Sequence, residues 1–274
     1  MRDYLLGVYE KFMPNELTLT ERLHEGKAAG FDYLEISIDE SDARLSRLDW
    51  TAKERAALRA AMQEADMPIL TMCLSGHRRF PLGSADAAVE ARGLEIMEKA
   101  IDFAADIGIR IIQLAGYDVY YEPTTPETVA RFARNLEKCV EMAARRGVMI
   151  GFETMETQFM NTVTKAMTYV DAMQSPWLQV YPDIGNLTNG TDDVPSDIAR
   201  GVGHIAAAHL KETVEGIFRD MFPGEGRVDF ETIIPLLRAQ KVRMFTAECW
   251  YRAGDDWRQR MRDVGAYYRH LLDV

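Results

Sequence analysis

The chain of 274 residues is long enough for a complete α/β barrel, and 47% apolar residues suffice for its core. A net charge of −11 excludes a general nucleic-acid surface, because neutralising phosphates needs clustered Lys and Arg. The N-terminal MRDYLLGVYEKF has no sustained apolar segment or small-residue cleavage site, and no later stretch offers about 18 uncharged apolar residues, so a cytoplasmic protein without membrane contact is expected.

Short apolar runs alternate with longer amphipathic ones from the start, the signature of βαβ units on a parallel sheet. Eight runs have strand character, at 5–9, 33–38, 69–74, 110–114, 148–152, 178–182, 205–209 and 244–249. Helical patterns at 20–29, 51–66, 87–107, 125–146, 162–174, 195–201 and 230–240 lie between them, and 255–272 closes the chain. The punctuation agrees with these bounds. Thr51 with Glu54 reads as a capping box and Thr125 with Pro126 as a helix start, while Gly30, Gly108 and Gly147 stand where helix ends need a left-handed residue. No linker-like tract interrupts the pattern. The expectation is an α/β protein, a single (β/α)8 TIM barrel domain over 1–274, with a short sixth helix and a loop over 213–228 long enough to be functional. The three cysteines, Cys73, Cys139 and Cys249, are odd in number and set among apolar neighbours, which leaves neither a disulfide framework nor a structural zinc site.

Four of the later runs end alike. VMIGFETM delivers Glu153, LQVYPDIGN Asp183, IAAAHLKE His209 and MFTAECW Glu248, closing strands five to eight. In a (β/α)8 barrel the C-terminal strand ends converge on one face, so residues distant in sequence meet there. A lone strand-end carboxylate commonly caps the next helix, and a lone His is usually a satisfied polar group. Four such residues in matching register point instead to one divalent metal ion. Three carboxylates and an imidazole suit Zn²⁺ or Mn²⁺, with Co²⁺ and Mg²⁺ also compatible. Their charge exceeds that of a divalent ion, so one carboxylate is free to act as a base. No Ser/His/Asp or Cys/His set stands in evident position, and no dinucleotide or phosphate-loop glycine pattern follows a strand. The chemistry indicated is Lewis-acid-assisted proton transfer beside a carbonyl, through an enediolate that the ion stabilises. Epimerisation then needs a base on one face and an acid on the other, and Glu153 and Glu248 are the candidates.

At this point the residues resemble a family. LGVYEKF, FDYLEISIDESDARLSRLDW, SGHRRFPLGS, QLAGYDVYYE, GFETM, PDIGN, HLKET, FRDMFPGEGRVDF and AECW together resemble the sugar isomerases and epimerases of the xylose isomerase-like barrel group. Within that group they resemble the L-ribulose-5-phosphate 3-epimerases, also called L-xylulose-5-phosphate 3-epimerases, over essentially the whole chain. The resemblance implies metal ligation by Glu153, Asp183, His209 and Glu248, and exchange of the C3 proton by Glu153 and Glu248. It further implies Arg219 near the substrate oxygens, Glu156 in contact with substrate or supporting Glu153, a homodimer, and a place in pentose or ascorbate breakdown.

A 5-phosphate carries nearly two negative charges, so an acidic protein has to supply donors locally. The expected cradle is Ser75, His77, Arg78 and Arg79 just past the third strand, with Gly116 and Tyr117 after the fourth. Arg78 and Arg79 equally suit surface ion pairs. Arg44 and Arg47 are further candidates, or they tie their loop to Asp39, Glu40 and Asp42. Three other readings stand beside this one. The same barrel and metal acting on an unphosphorylated keto sugar leaves SGHRR without evident purpose. A metal-dependent endonuclease needs more than five histidines and a basic face. A silent sugar-binding protein has no need of opposed glutamates.

Overall fold

In the computed structural model, which describes residues 2–273, eight parallel strands form one sheet in the order β6-β5-β4-β3-β2-β1-β8-β7. They are β1 (Leu5–Tyr9), β2 (Tyr33–Ile38), β3 (Ile69–Leu74), β4 (Ile111–Ala115), β5 (Met149–Glu153), β6 (Leu178–Val180), β7 (Ala208–Leu210) and β8 (Met244–Ala247). The two ends of that order meet through parallel bridges at Val180–Ile205 and Asp183–His209. His209 N donates to Pro182 O at 2.9 Å across the same seam. The helices are α1 (Leu19–Ala28), α2 (Asp42–Leu45), α3 (Ala52–Glu64), α4 (Ala87–Ile107), α5 (Pro126–Arg146), α6 (Val163–Met173), α7 (Ile184–Gly190), α8 (Val194–Arg200), α9 (Phe230–Ala239) and α10 (Trp257–Leu272). The expected α/β barrel is the fold.

Helix ends follow local chemistry. Thr51 and Glu54 form the reciprocal capping box of α3, and Thr18 and Glu21 form another on α1. Pro126 takes the first turn of α5, where a missing N–H costs nothing. Gly108 and Gly147 end α4 and α5 with φ of 93° and 68°, a conformation that a Cβ would disfavour.

The strand alternation sorts side chains into two environments. β2 is buried throughout, and its period of two sends Leu34, Ile36 and Ile38 outward into the apolar layer beneath the helices. Tyr33, Glu35 and Ser37 fall on the opposite, barrel-interior side. Each large apolar side chain in the outer layer contributes roughly 1.5–3 kcal/mol over exposure, which is what holds the helices on the sheet.

The sequence pattern and the structure differ mainly in the second half. β6 stops at Val180 because Pro182 has no donor for the ladder and Asp183 turns the chain into α7. α7 was not expected, since IGNLTNG carries little helix propensity. β7 begins at Ala208 rather than 205, leaving His209 inside the strand. The 213–228 loop is irregular but anchored: the Glu212 carboxylate accepts from Thr213 N, Gly224 N and Val228 N at 3.0, 2.9 and 3.0 Å.

Candidate metal centre

The four strand-end residues converge. Glu153 is the last residue of β5, Asp183 caps α7, His209 lies within β7, and Glu248 directly follows β8. One ligand atom from each lies within 4.8 Å of the others. His209 Nδ1 is 3.0 Å from Glu153 Oε1, 3.3 Å from Glu248 Oε2 and 3.9 Å from Asp183 Oδ2. Asp183 serves two ends at once, its Oδ1 accepting from Asn186 N at 2.7 Å to cap the helix while Oδ2 turns into the cluster. The helix-cap reading and the ligand reading are therefore both satisfied by one carboxylate.

Charge decides whether this cluster suits a cation. Lys211 Nζ, on the same face of β7 as His209, lies 2.7 Å from Asp183 Oδ2 and 3.6 Å from Glu248 Oε2. One ammonium among three buried carboxylates leaves roughly two negative charges uncompensated, and buried charge is costly unless paired. Glu248 Oε2 also has no hydrogen-bond partner among the described residues, and Asp183 Oδ2 has the Lys211 ammonium as its one cation within 3 Å. An oxygen-rich set with one imidazole nitrogen and that charge deficit fits a divalent ion. Burial pushes the Glu153 carboxyl above its ordinary value. Burial pushes Glu248 the same way, but Lys211 and His209 outweigh it and hold that carboxyl well below.

Above the cluster opens a cavity of about 390 Å³, lined among others by Tyr9, Lys11, Ser75, Arg78, Glu156, Lys211, Arg219 and Trp250. Glu153 and Glu248 reach its wall, whereas Asp183 and His209 do not and are fully buried beneath it. Of the expected cradle, the structure brings Ser75 and Arg78 to the cavity and leaves the rest aside. His77 turns its ring toward α4, with Nε2 3.0 Å from Gly93 O. Arg79 points to solvent and pairs with Asp42 at 2.8 Å. Gly116 packs against Met160 and the Glu153 carbonyl, where a Cβ would sit 2.4 Å from the methionine. Tyr117 is buried, accepting from Arg78 at 3.1 Å and donating to Glu156 at 2.9 Å. Glu156 is thus tied to Tyr117 on the cavity wall and lies 4.0 Å from Arg78, so it braces that arginine rather than Glu153. Arg219 reaches the cavity from the long loop, its guanidinium 5.7 Å above the Trp250 ring.

Arg44 and Arg47 belong to neither of their expected arrangements. Both converge, with Arg22, on Glu10, a fully buried carboxylate just after β1. Burial pushes Glu10 up, but Arg47 and Arg44 outweigh it and keep it ionised. This knot holds the β1–α1 segment, and with it Lys11, at the cavity edge. Sequence reasoning missed Glu10, Lys11 and Lys211. A signal existed for Lys211, because alternation along β7 places residues 209 and 211 on one face. All three cysteines are buried and free, as expected. Among the described residues no helix is long and apolar enough to cross a membrane.

The chain is similar to known proteins along its whole length. A family model described as a xylose isomerase-like TIM barrel matches residues 23–270. The L-ribulose-5-phosphate 3-epimerase UlaE of Salmonella paratyphi C is 50% identical over 233 residues, 85% of this chain and 82% of that protein. Among solved structures, an L-ribulose 3-epimerase superposes with a TM-score of 0.79 at 21% identity, covering 98% of this chain and 95% of the other. A xylose isomerase-like TIM barrel protein from Mycobacterium smegmatis in complex with magnesium gives 0.75 at 14% identity, covering 99% and 98%. These two likenesses bear on the fold alone, whereas the family model and the identity to UlaE bear on kinship: the chain belongs to the xylose isomerase-like TIM barrel family and, within it, to the L-ribulose-5-phosphate 3-epimerases.

Proposed function

We propose that this enzyme interconverts L-ribulose 5-phosphate and L-xylulose 5-phosphate by exchanging the proton at C3. The observation that carries the reading is that, of the four clustered residues, Glu153 and Glu248 are the two that reach the cavity. Glu153, Asp183, His209 and Glu248 would hold one divalent ion, Zn²⁺ or Mn²⁺ before Co²⁺ or Mg²⁺. When bound, the ion supplies positive charge beside the ketose oxygens, which is the stabilisation that deprotonation next to a carbonyl requires.

The chain's own residues do the rest. One glutamate takes the C3 proton, and the C–H electron pair moves toward C2 to give the enediolate. The other glutamate, entering protonated, delivers its proton to the opposite face of C3, and the configuration inverts. Lys211, pinned to Asn186 Oδ1 at 2.8 Å, keeps Asp183 and Glu248 oriented while those protons move. Arg78, Lys11 and Ser75 line the cavity where a 5-phosphate would extend, and the buried Arg78 Nε has no hydrogen-bond partner among the described residues. Arg219 faces the substrate oxygens from the loop. The same reading takes residues 1–274 as one domain, in keeping with the single eight-stranded sheet, and the working protein as a cytoplasmic homodimer in pentose or ascorbate breakdown, the homodimer and the pathway being what the family resemblance implies.

The test is proton NMR in D₂O of the metal-reconstituted protein with L-ribulose 5-phosphate, and with free L-ribulose alongside. Deuterium at C3 with appearance of the epimer, from the phosphate ester alone, is expected. Equal exchange on the free sugar would move the assignment to unphosphorylated keto sugars, and no exchange on either would remove the epimerase reading.

A further inference from the structure

We propose that Glu35 is a positioning residue of the metal centre, fixing His209 as an Nδ1 ligand from the end of an oriented hydrogen-bond chain inside the barrel. The inference rests on the metal reading above. Glu35 sits in the middle of β2, is fully buried, and stands where barrel interiors carry Val, Ile or Leu. A carboxylate there needs a reason, because burying it unpaired is costly.

The reason lies in its contacts. Glu35 Oε1 is 2.6 Å from His209 Nε2, on the side of the ring away from the three carboxylates. A neutral imidazole has one N–H, and an ionised carboxylate only accepts. With the N–H given to Glu35, the Nδ1 lone pair is left facing Glu153, Glu248 and Asp183, as a metal ligand must be. Without Glu35, the ring is free to adopt the other tautomer, which turns an N–H toward the ion.

Glu35 is itself held. Its second oxygen accepts from Thr71 Oγ1 at 2.7 Å and Tyr181 OH at 2.9 Å. Having donated there, Tyr181 OH accepts from Thr246 Oγ1 at 2.8 Å, while Tyr33 OH donates to Phe245 O at 3.0 Å and lies 2.8 Å from Thr246 Oγ1. The hydroxyl protons next to Glu35 therefore run one way, from Thr246 to Tyr181 to Glu35. Two neighbouring strands give up side chains to admit the phenols. A Cβ on Gly7 would lie 2.3 Å from the Tyr33 ring, and one on Gly151 would lie 2.9 Å from Tyr181 Cβ. Strand pairing alone does not call for glycine at either place, whereas the interior network does.

The experiment is Zn²⁺ binding to chelator-stripped protein, measured by competition with a chromophoric chelator, for wild type, Glu35→Gln and Tyr181→Phe. Glu35→Gln is isosteric but carries no charge, and its NH₂ opposes the Thr71 and Tyr181 hydroxyls. Its Zn²⁺ Kd is expected to rise about 10- to 100-fold, the usual cost of losing such an outer partner. Tyr181→Phe removes one donor to Glu35, and its Kd is expected to rise severalfold. In ¹H–¹⁵N spectra of the zinc-loaded protein, the His209 Nε2–H should be a protected downfield proton in wild type that moves upfield in Glu35→Gln. A merely structural role would not move that resonance. Zn²⁺ affinity within about threefold of wild type in Glu35→Gln, with the resonance unmoved, overturns the inference and leaves the metal reading standing. If Glu35→Gln does not fold, unchanged affinity in Tyr181→Phe has the same force. Failure of wild-type protein to bind Zn²⁺ or Mn²⁺ at all overturns the metal reading and this inference with it.

Discussion

Replacing His77 by Gln removes a titrating group that the fold holds neutral. The residue is 1% exposed, and burial pushes its pKa from 6.5 down to about 4 against the opposing pull of the Gly93 carbonyl. With the folded value below the unfolded one, the unfolded chain takes up the proton first as pH falls. The stabilising contribution is therefore complete above about pH 6.5 and is lost as pH falls toward 4. The gap between the two values corresponds to about 3 kcal/mol, at about 1.4 kcal/mol per pH unit, of which about 2 kcal/mol is lost between pH 7.5 and 5.0. Urea unfolding of chelator-treated wild type and His77→Gln at both pH values measures it. Glutamine has its own packing cost, but that cost does not titrate, so wild type should lose about 2 kcal/mol more than the variant on going to pH 5.0. A wild-type-to-variant difference that stays constant with pH would mean that His77 titrates freely, and would refute the burial argument. The same variant should leave KM for the phosphorylated sugar unchanged, because the ring faces α4. A tenfold rise would put His77 back among the substrate ligands.

Glu153→Gln and Glu248→Gln should each lower C3 proton exchange by at least about 100-fold with circular dichroism unchanged, and near-normal exchange in either would remove the two-base scheme. Arg78→Ala should raise KM at least about tenfold for the phosphate ester and little for the free ketose, as loss of one charge-assisted contact implies. Arg79→Ala should change neither, and equal effects from both arginines would return Arg79 to the phosphate cradle. Lys211→Met should destabilise the metal-free protein by about 3 kcal/mol, the cost of leaving buried carboxylates without their cation. Added Zn²⁺ should then raise Tm by more in the variant than in wild type, and an equal or smaller increment would show that Lys211 and the ion do not share that charge.

The barrel was legible because two independent patterns agreed on it. Strand and helix periods alternated eight times, and caps such as Thr51 with Glu54 or Thr125 with Pro126 marked where each helix began. The metal cluster was legible for a related reason. A (β/α)8 fold turns position along a strand into position in space, so matching strand ends had to meet. Even where the strand limits were wrong, as at β7, a shift of a few residues along the axis left His209 on the same face of the barrel.

Side-chain direction outside the strands was not legible. Glu10, Ser75, His77, Arg78 and Arg79 lie in or beside short 3₁₀ turns, where successive residues point about 120° apart. A run such as His77-Arg78-Arg79 therefore sends one ring into the packing against α4, one guanidinium to the cavity and one to solvent, and charge alone does not say which goes where. Interior residues posed the opposite difficulty. Glu35 stood in plain view within an apolar strand, but its partners are Thr71 in β3, His209 in β7 and Tyr181 just past β6, brought together only once the sheet curls closed. A charged residue at an inward position of a buried strand is costly wherever it occurs, so it marks a place where folding has been traded against a task. Here that place lies directly beneath the histidine on which the metal reading depends.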